Sequence, residues 1–509
     1  MDSSYTQDVE FNSAFGVLQT PVHMLTACLV AGKPAPGIER PFRFLDLACG
    51  NGLTLALLAD AYPHAEFVGV DINPAHIEDA KERASAAGIS NLTFFEGDLL
   101  SLKANSFGPV DYAAVGGIYS WLDTERRRAT RQFLGSVLAP GGVVYIDYSA
   151  QPGMAQNAAL YNLLQRFAAN IEGSSAEKLV GAARMADDAR KKGARFFAIN
   201  QHAHGRLEAI LKNRPEDEAH EVLNLQGHGF WSADVIEEMH ESGLEFTADI
   251  GLHHNVPSLS GFPQRHAGQS VATHQTLFDL HRNVPHRREL YTRGTSDAPF
   301  DLLHELESLP LFYVRASLSA EKREDLNKRF KASELSGHDA EHFVEAVLGS
   351  DEFLELFGAL RQEGWTDDKI ARFVRIYLAL RMISVAIART GPQNPSGKLV
   401  MTSSLNRRIL TEDIGERHVR PFSSPVVGTR VLLPMKDRLY LWSLLGLDLR
   451  DAWDRLDDLR SSFVDNRNQP VDRESFVQII EQSLPAFRRV VAPELLKLRI
   501  LSTVEENET

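Results

Sequence analysis

Phe42-Arg43-Phe44-Leu45-Asp46-Leu47-Ala48-Cys49-Gly50-Asn51-Gly52 is the stretch that decides the fold. Apolar residues run into an acid and then into a turn of small residues, and a helix-forming segment follows from Leu53. That order describes a strand, a tight turn and a helix N-terminus. Small residues let a ligand approach the backbone closely, and the helix start offers unpaired N–H groups with partial positive charge. A nucleotide-type cofactor seated on this turn is the first expectation.

Working outward, strands are expected at 42–49, 65–72, 92–96, 110–115 and 142–148, with helices at 53–62, 74–87 and 124–138. Such βα alternation implies right-handed crossovers and a doubly wound parallel sheet in an α/β fold. Further strands at 244–252 and 288–293 would complete seven, with a helix at 232–242 before them and another around 275–280 between them. Ligands of such sheets sit beyond the carboxyl ends of the strands, where strand order reverses. The expected ends carry small or acidic residues: Asp46 to Gly52, Asp71-Ile72-Asn73, Gly97-Asp98-Leu99 and Gly116-Gly117-Ile118-Tyr119-Ser120-Trp121.

The 509 residues divide in this reading into an N-terminal arm or lid (1–41), a cofactor-binding core (42–153) and a helical insertion (154–226). Completion of the sheet follows (227–296), then a mainly helical C-terminal domain (297–509). The C-terminal amphipathic helices suit substrate recognition or homodimer formation.

With 54 Lys+Arg against 68 Asp+Glu, the formal charge of -14 argues against a nucleic-acid-binding surface. Arg126, Arg127 and Arg128 read as the solvated face of a helix. Two cysteines, Cys28 and Cys49, exclude a disulfide framework and fit a reducing, cytoplasmic setting. The run from Val17 to Gly32, interrupted by Pro21 and His23, reads as a docking helix rather than a signal peptide, and no stretch reaches a membrane span. No metal is expected, because His220-Glu221-Val222-Leu223-Asn224 lacks the second histidine of H-E-x-x-H. His338-Asp339-Ala340-Glu341-His342 does match H-x-x-E-H, but Ser336-Gly337 would leave His338 at the helix start.

A dinucleotide site would want a third glycine where Leu55 stands. S-adenosyl-L-methionine has no pyrophosphate and can be met by a D-x-A-x-G-x-G turn. Asp71 would then accept from both ribose hydroxyls, and Asp98 from the adenine amino group.

Residues 42–149 resemble a class I S-adenosylmethionine-dependent methyltransferase with a Rossmann-like sheet, Asp46 to Gly52 being its glycine-rich motif. Ala48 stands where many members carry glycine. Gly117 to Trp121, Tyr148-Ser149-Ala150-Gln151-Pro152-Gly153 and His220 to Asn224 resemble signatures of bacterial methyltransferases with a methyltransferase regulatory domain. Ser4-Tyr5 and Gln19-Thr20-Pro21 fit the same group. The resemblance implies cofactor binding by Tyr5, Asp46, Ala48, Gly50, Asn51, Gly52, Asp71, Ile72, Gly97, Asp98, Leu99, Gly116, Gly117 and Ile118. Characterised members include protein-lysine methyltransferases acting on bacterial surface proteins.

A lysine acceptor must be neutral to attack, which asks for an apolar or aromatic pocket. Tyr119 and Trp121 are the candidate catalytic residues lining it, and His220, His228, His253 and His254 could border it. Methyl transfer to a protein or peptide lysine is therefore the leading expectation. The alternatives are small-molecule N- or O-methylation and a non-catalytic cofactor-binding scaffold.

Overall fold

The computed structural model describes residues 15–223, 229–294, 300–312, 337–392, 397–416, 419–464 and 469–504. Tyr5, Asn224 and His228 lie outside the described residues.

The chain enters the sheet through helix α1 (Pro21–Ala31), which starts with proline at its first position and stops at Gly32 in the left-handed conformation. Strand β1 (Arg43–Leu47), helix α2 (Leu53–Ala61), β2 (Glu66–Asp71), α3 (Pro74–Ala87) and β3 (Leu92–Glu96) follow. Then come β4 (Val110–Val115), α4 (Thr124–Val137) and β5 (Leu138–Ser149). The insertion forms α5 (Ala155–Ala168), α6 (Ser175–Lys191), α7 (Arg195–Ile199), α8 (Gln201–Lys212) and α9 (Pro215–Val222). After it come α10 (Ser232–His240), β6 (Leu244–Asp249), α11 (Pro257–Ser260), α12 (Val271–Arg282) and β7 (His286–Arg293).

The seven strands lie in the order β3-β2-β1-β4-β5-β7-β6. Order reverses between β1 and β4, so the crevice opens beyond their carboxyl ends. Both faces are buried, as side-chain alternation requires. Phe44, Tyr112, Ala114 and Val143 join the core under α1 and α2, whereas Leu45, Ala113, Val115 and Val144 join the core under α4 and α10.

The sheet is not wholly parallel. The chain leaves β6 and enters β7 at the same edge, Asp249 pairing with Glu289 and Ser149 with His286. β7 therefore runs antiparallel to both neighbours. Strand five also begins earlier than expected, because Leu138 already pairs with Val110 ahead of a register shift.

The insertion helices close on a core of their own, with Leu160, Leu164, Leu179 and Leu207 buried together. The C-terminal helices instead share the core under α1 and α2, where Phe353, Phe357 and Phe373 are buried. Polar contacts fasten this region to α2: Ser403 Oγ donates to Asp60 Oδ1 at 2.8 Å, and Tyr62 OH donates to the Gly428 carbonyl at 3.1 Å. Among the described residues no helix is long and apolar enough to cross a membrane.

Candidate active site

The turn after β1 holds three residues in the left-handed region, Ala48 (φ 67°), Gly50 (φ 55°) and Gly52 (φ 72°). Alanine pays a small steric penalty there, offset by two hydrogen bonds: the Ala48 and Cys49 N–H groups both donate to the Val70 carbonyl, at 2.7 and 3.0 Å. At Gly52 a Cβ would stand 2.6 Å from the Phe94 ring and 2.8 Å from Ala80 Cβ, so only glycine lets α2 settle on the sheet. At Gly50 the same position faces open space. Asn51 Oδ1 accepts from the Leu53 N–H at 3.4 Å, at the start of α2.

Asp71 closes β2 and braces the turn. Its Oδ2 accepts from the Gly50 N–H and its Oδ1 from the Asn73 N–H, each at 2.9 Å. The next residue, Ile72, is apolar yet 56% exposed, as expected of a side chain awaiting a cover. Asp98 follows β3 and caps a short turn by accepting from the Leu100 N–H at 3.0 Å. Its other oxygen accepts from Arg126 at 3.0 Å. Partial burial pushes this carboxyl up, but Arg126 and the Leu100 N–H outweigh it and hold it below the ordinary range. Arg126 is thus an ion-pair partner of Asp98 and Asp123, not a solvated charge. Arg127 likewise lies over the Phe230 ring, 4.7 Å from its centre.

Beyond β4, Gly117 donates its N–H to Asp147 Oδ1 at 2.6 Å, and Tyr145 OH donates to Asp147 Oδ2 at 3.0 Å. Asp147 was not singled out in the sequence, although it lies near the end of β5 on the same edge; its signal was an acid inside the Ile146-Asp147-Tyr148 run. Gln19 escaped too. The Gln19 side-chain oxygen lies against Gly116, where a Cβ would make it swing aside, and the Gly16 N–H donates to Thr54 Oγ1 at 3.0 Å. Residues 15–19 therefore cross from α2 to the end of β4. Gly97 and Leu99 sit at the β3 end, where the Gly97 N–H donates to the Asp71 carbonyl at 3.0 Å, and Leu99 and Ile118 pack on the second core.

Tyr119 is placed differently from its expected wall position. It is 1% exposed, packed between Tyr148 and Phe230, with Arg131 donating to its hydroxyl at 3.2 Å. Burial first pushes its phenol up to about 12, so it is a protonated core side chain. Ile118 starts a 3-10 turn that swings Tyr119 inward, while Trp121 stays half-buried with its indole N–H on the Gly117 carbonyl. Among the histidines, His220 is buried in α9, and His253 and His254 meet edge-on with ring centres 4.0 Å apart after β6. His342 faces Glu363 at 3.1 Å. Among the described residues no group of three or more His, Cys, Asp or Glu is placed to hold a metal.

Asp46 is 3% exposed and shares this edge with Asp71 and Asp147. Burial, then those two acids, push its carboxyl up to about 8. Among the described residues no Lys or Arg stands within ion-pair distance of any of the three; His76 and His286 approach, at 3.5 Å from Asp71 and 3.9 Å from Asp147, and Arg288, the cross-strand partner of Asp147, acts on the same Tyr145 hydroxyl. The edge is built to receive positive charge.

Residues 44–142 match the family model "Methyltransferase domain", and residues 219–293 match "Predicted methyltransferase regulatory domain". An uncharacterized protein of Synechocystis sp. is 25% identical over 448 residues, covering 86% of this chain and 87% of that protein. A trans-aconitate 2-methyltransferase of Methylobacterium radiotolerans is 32% identical over 118 residues, 23% of this chain and 42% of that enzyme. Among solved structures, PKMT2 from Rickettsia typhi superposes with a TM-score of 0.65 at 18% identity, covering 94% of this chain and 99% of that one. The same protein in complex with AdoHcy gives 0.64 at 17% identity, covering 96% and 100%.

The residues present fit S-adenosylmethionine. The open space at Gly50, the braced carboxylate of Asp71, the uncovered Ile72 and the acidic edge form one continuous rim beyond β1, β2 and β4. When bound, that cofactor supplies an electrophilic methyl group on a sulfonium. A cationic ligand favours the charged form of Asp46, so binding below pH 8 must expel its proton. The affinity for S-adenosylmethionine is expected to rise with pH, by up to roughly tenfold per unit, and to level off above the carboxyl's value of about 8. Calorimetry in buffers of different ionisation enthalpy checks the proton release. S-adenosylhomocysteine, lacking the sulfonium charge, should show a shallower slope.

Proposed function

We propose that this chain, an S-adenosylmethionine-dependent methyltransferase with a regulatory-type region after its core, delivers the methyl group to a lysine amine of a protein. The observation that carries the reading is the charge of the cleft. Asp71 and Asp147 stand at the strand ends with no Lys or Arg within ion-pair distance among the described residues, and Asp46, largely protonated near neutral pH, adds its charge when a cation arrives. A lysine arrives as an ammonium ion and is attracted to such an edge. It attacks only as the neutral amine, so a nearby carboxylate able to take the proton is useful. Asp147 is the candidate, since the Gly117 N–H and the Tyr145 hydroxyl fix its two oxygens.

Support comes also from the resemblance of the sequence motifs to bacterial protein-lysine methyltransferases, and the likeness to PKMT2 spans the core, the insertion and the C-terminal helices alike. Small-molecule methylation is the second reading, favoured by the likeness of the core to trans-aconitate 2-methyltransferases. That likeness covers only 23% of this chain in the Methylobacterium radiotolerans case, and an anionic acceptor would meet like charge at Asp147.

The test is incubation of the full chain with methyl-labelled cofactor and bacterial lysate. Label is expected in protein and, after acid hydrolysis, in methylated lysine. Label confined to the small-molecule fraction would overturn the proposal.

A further inference from the structure

A cavity of about 350 Å³ lies between the loop that follows the carboxyl end of β6 and the helix Asp367–Ala379. Val256, Ala371 and Ile376 give it apolar walls, and Ser258, Asp368, Arg372 and Arg375 supply polar groups. Arg375 is the unusual member. Among the described residues its buried Nε finds no hydrogen-bond partner and no carboxylate offsets the burial, which lowers its guanidinium below the ordinary range. Asp368 stands at the same cavity but leaves Arg375 uncompensated.

The surroundings deepen that positive potential. Arg381, at the end of the same helical segment, is also lowered by burial alone. Burial and then the Arg381 charge hold His23 on α1 down to about 4, so it contributes no further charge at neutral pH. Leaving a half-buried guanidinium unpaired is costly, and a planar fork of N–H donors matches a carboxylate or phosphate head.

We propose that this cavity binds a small organic anion, its head on Arg375 and its aliphatic or aromatic body against Val256, Ala371 and Ile376. Val256 and Ser258 fall within the stretch matched by the regulatory-domain model, and the turn Leu252–Asn255 just before them packs on α1. A ligand here would tie that loop to the C-terminal helix. The site is independent of which acceptor the enzyme methylates.

Calorimetric titration of the full chain with phenyl phosphate, benzoate, inorganic phosphate and neutral benzyl alcohol tests it without any methyl transfer. Saturable one-site binding of phenyl phosphate or benzoate is expected, and whichever binds identifies the head. Arg375→Gln should weaken that binding by roughly ten- to a hundredfold through loss of a charge-assisted contact. Ala371→Phe should remove it by filling the space while leaving the charge. Absence of saturable binding to the wild-type chain by either aromatic anion overturns the proposal. So does unchanged affinity in both variants, or benzyl alcohol or inorganic phosphate binding as tightly as the aromatic anions. The wild-type arms decide alone if a variant fails to fold.

Discussion

Asp71→Asn weakens S-adenosylhomocysteine binding by about a hundredfold or more. The wild-type carboxylate accepts two backbone N–H groups, from Gly50 and Asn73, and so fixes the turn against the end of β2 before any ligand arrives. Asparagine offers one acceptor oxygen and turns an NH2 toward the other donor. One charge-assisted hydrogen bond becomes a donor–donor contact, and the negative charge on the rim is lost. Losing that bond costs roughly 1.5–3 kcal/mol, and the donor–donor contact and the lost charge add to it, which brings the loss of the preorganised turn to the ~2.7 kcal/mol that a hundredfold represents. Calorimetry with the full chain reads the loss, and an unchanged circular dichroism spectrum shows that the variant is folded. A dissociation constant within about threefold of wild type would remove Asp71 from the cofactor rim.

The parts of the fold that sequence reveals are those decided over a few residues. Strands at Leu92–Glu96 and Val110–Val115 and the helix Pro74–Ala87 fall where periodicity places them. Short apolar runs are bounded there by turn residues, and Asn73 caps α3 with proline at its first position. The turn at 48–52 is legible for the same reason: its left-handed backbone, its hydrogen bonds to β2 and the start of α2 all follow from local chemistry.

What escaped depends on partners far along the chain. Nothing near Asp147 in sequence announces that it will face Asp46 across 101 residues, nor that Gln19 will cover Gly116. Tyr119 was expected at a pocket wall because a strand end precedes it. One 3-10 turn carries it instead into a core built from Tyr148 and Phe230. The direction of β7 escaped as well, because a strand pattern carries no sign of which way the chain re-enters a sheet. The buried ion network that β7 brings with it was equally invisible.

That network sets the largest stability effect. Arg287 is 1% exposed, yet its Nε donates to Glu289 at 2.7 Å, one terminal nitrogen to Asp279 at 2.6 Å and the other to Gln275 at 2.8 Å. Tyr148 on β5 and Tyr291 on β7 donate to the second oxygen of Glu289, at 3.0 and 2.6 Å. One cation thus joins β5, β7 and α12 beneath the edge that carries Asp147 and His286. Burial pushes both Asp279 and Glu289 up, and Arg287 opposes it. Arg287→Met removes the opposing charge and strands two buried acids, which costs about 3–5 kcal/mol. With the cation gone, both carboxyls rise further above their unfolded values near 4. The folded variant then holds more protons than the unfolded chain, so its deficit grows as pH rises and shrinks toward pH 5. Urea unfolding at pH 5 and pH 8 measures that slope. Adding Asp279→Asn and Glu289→Gln to Arg287→Met should recover most of the loss and flatten the pH dependence, because amides keep the hydrogen-bonding shape without the charge. A variant as stable as wild type at pH 8 would mean that water or rearranged side chains already neutralise these acids.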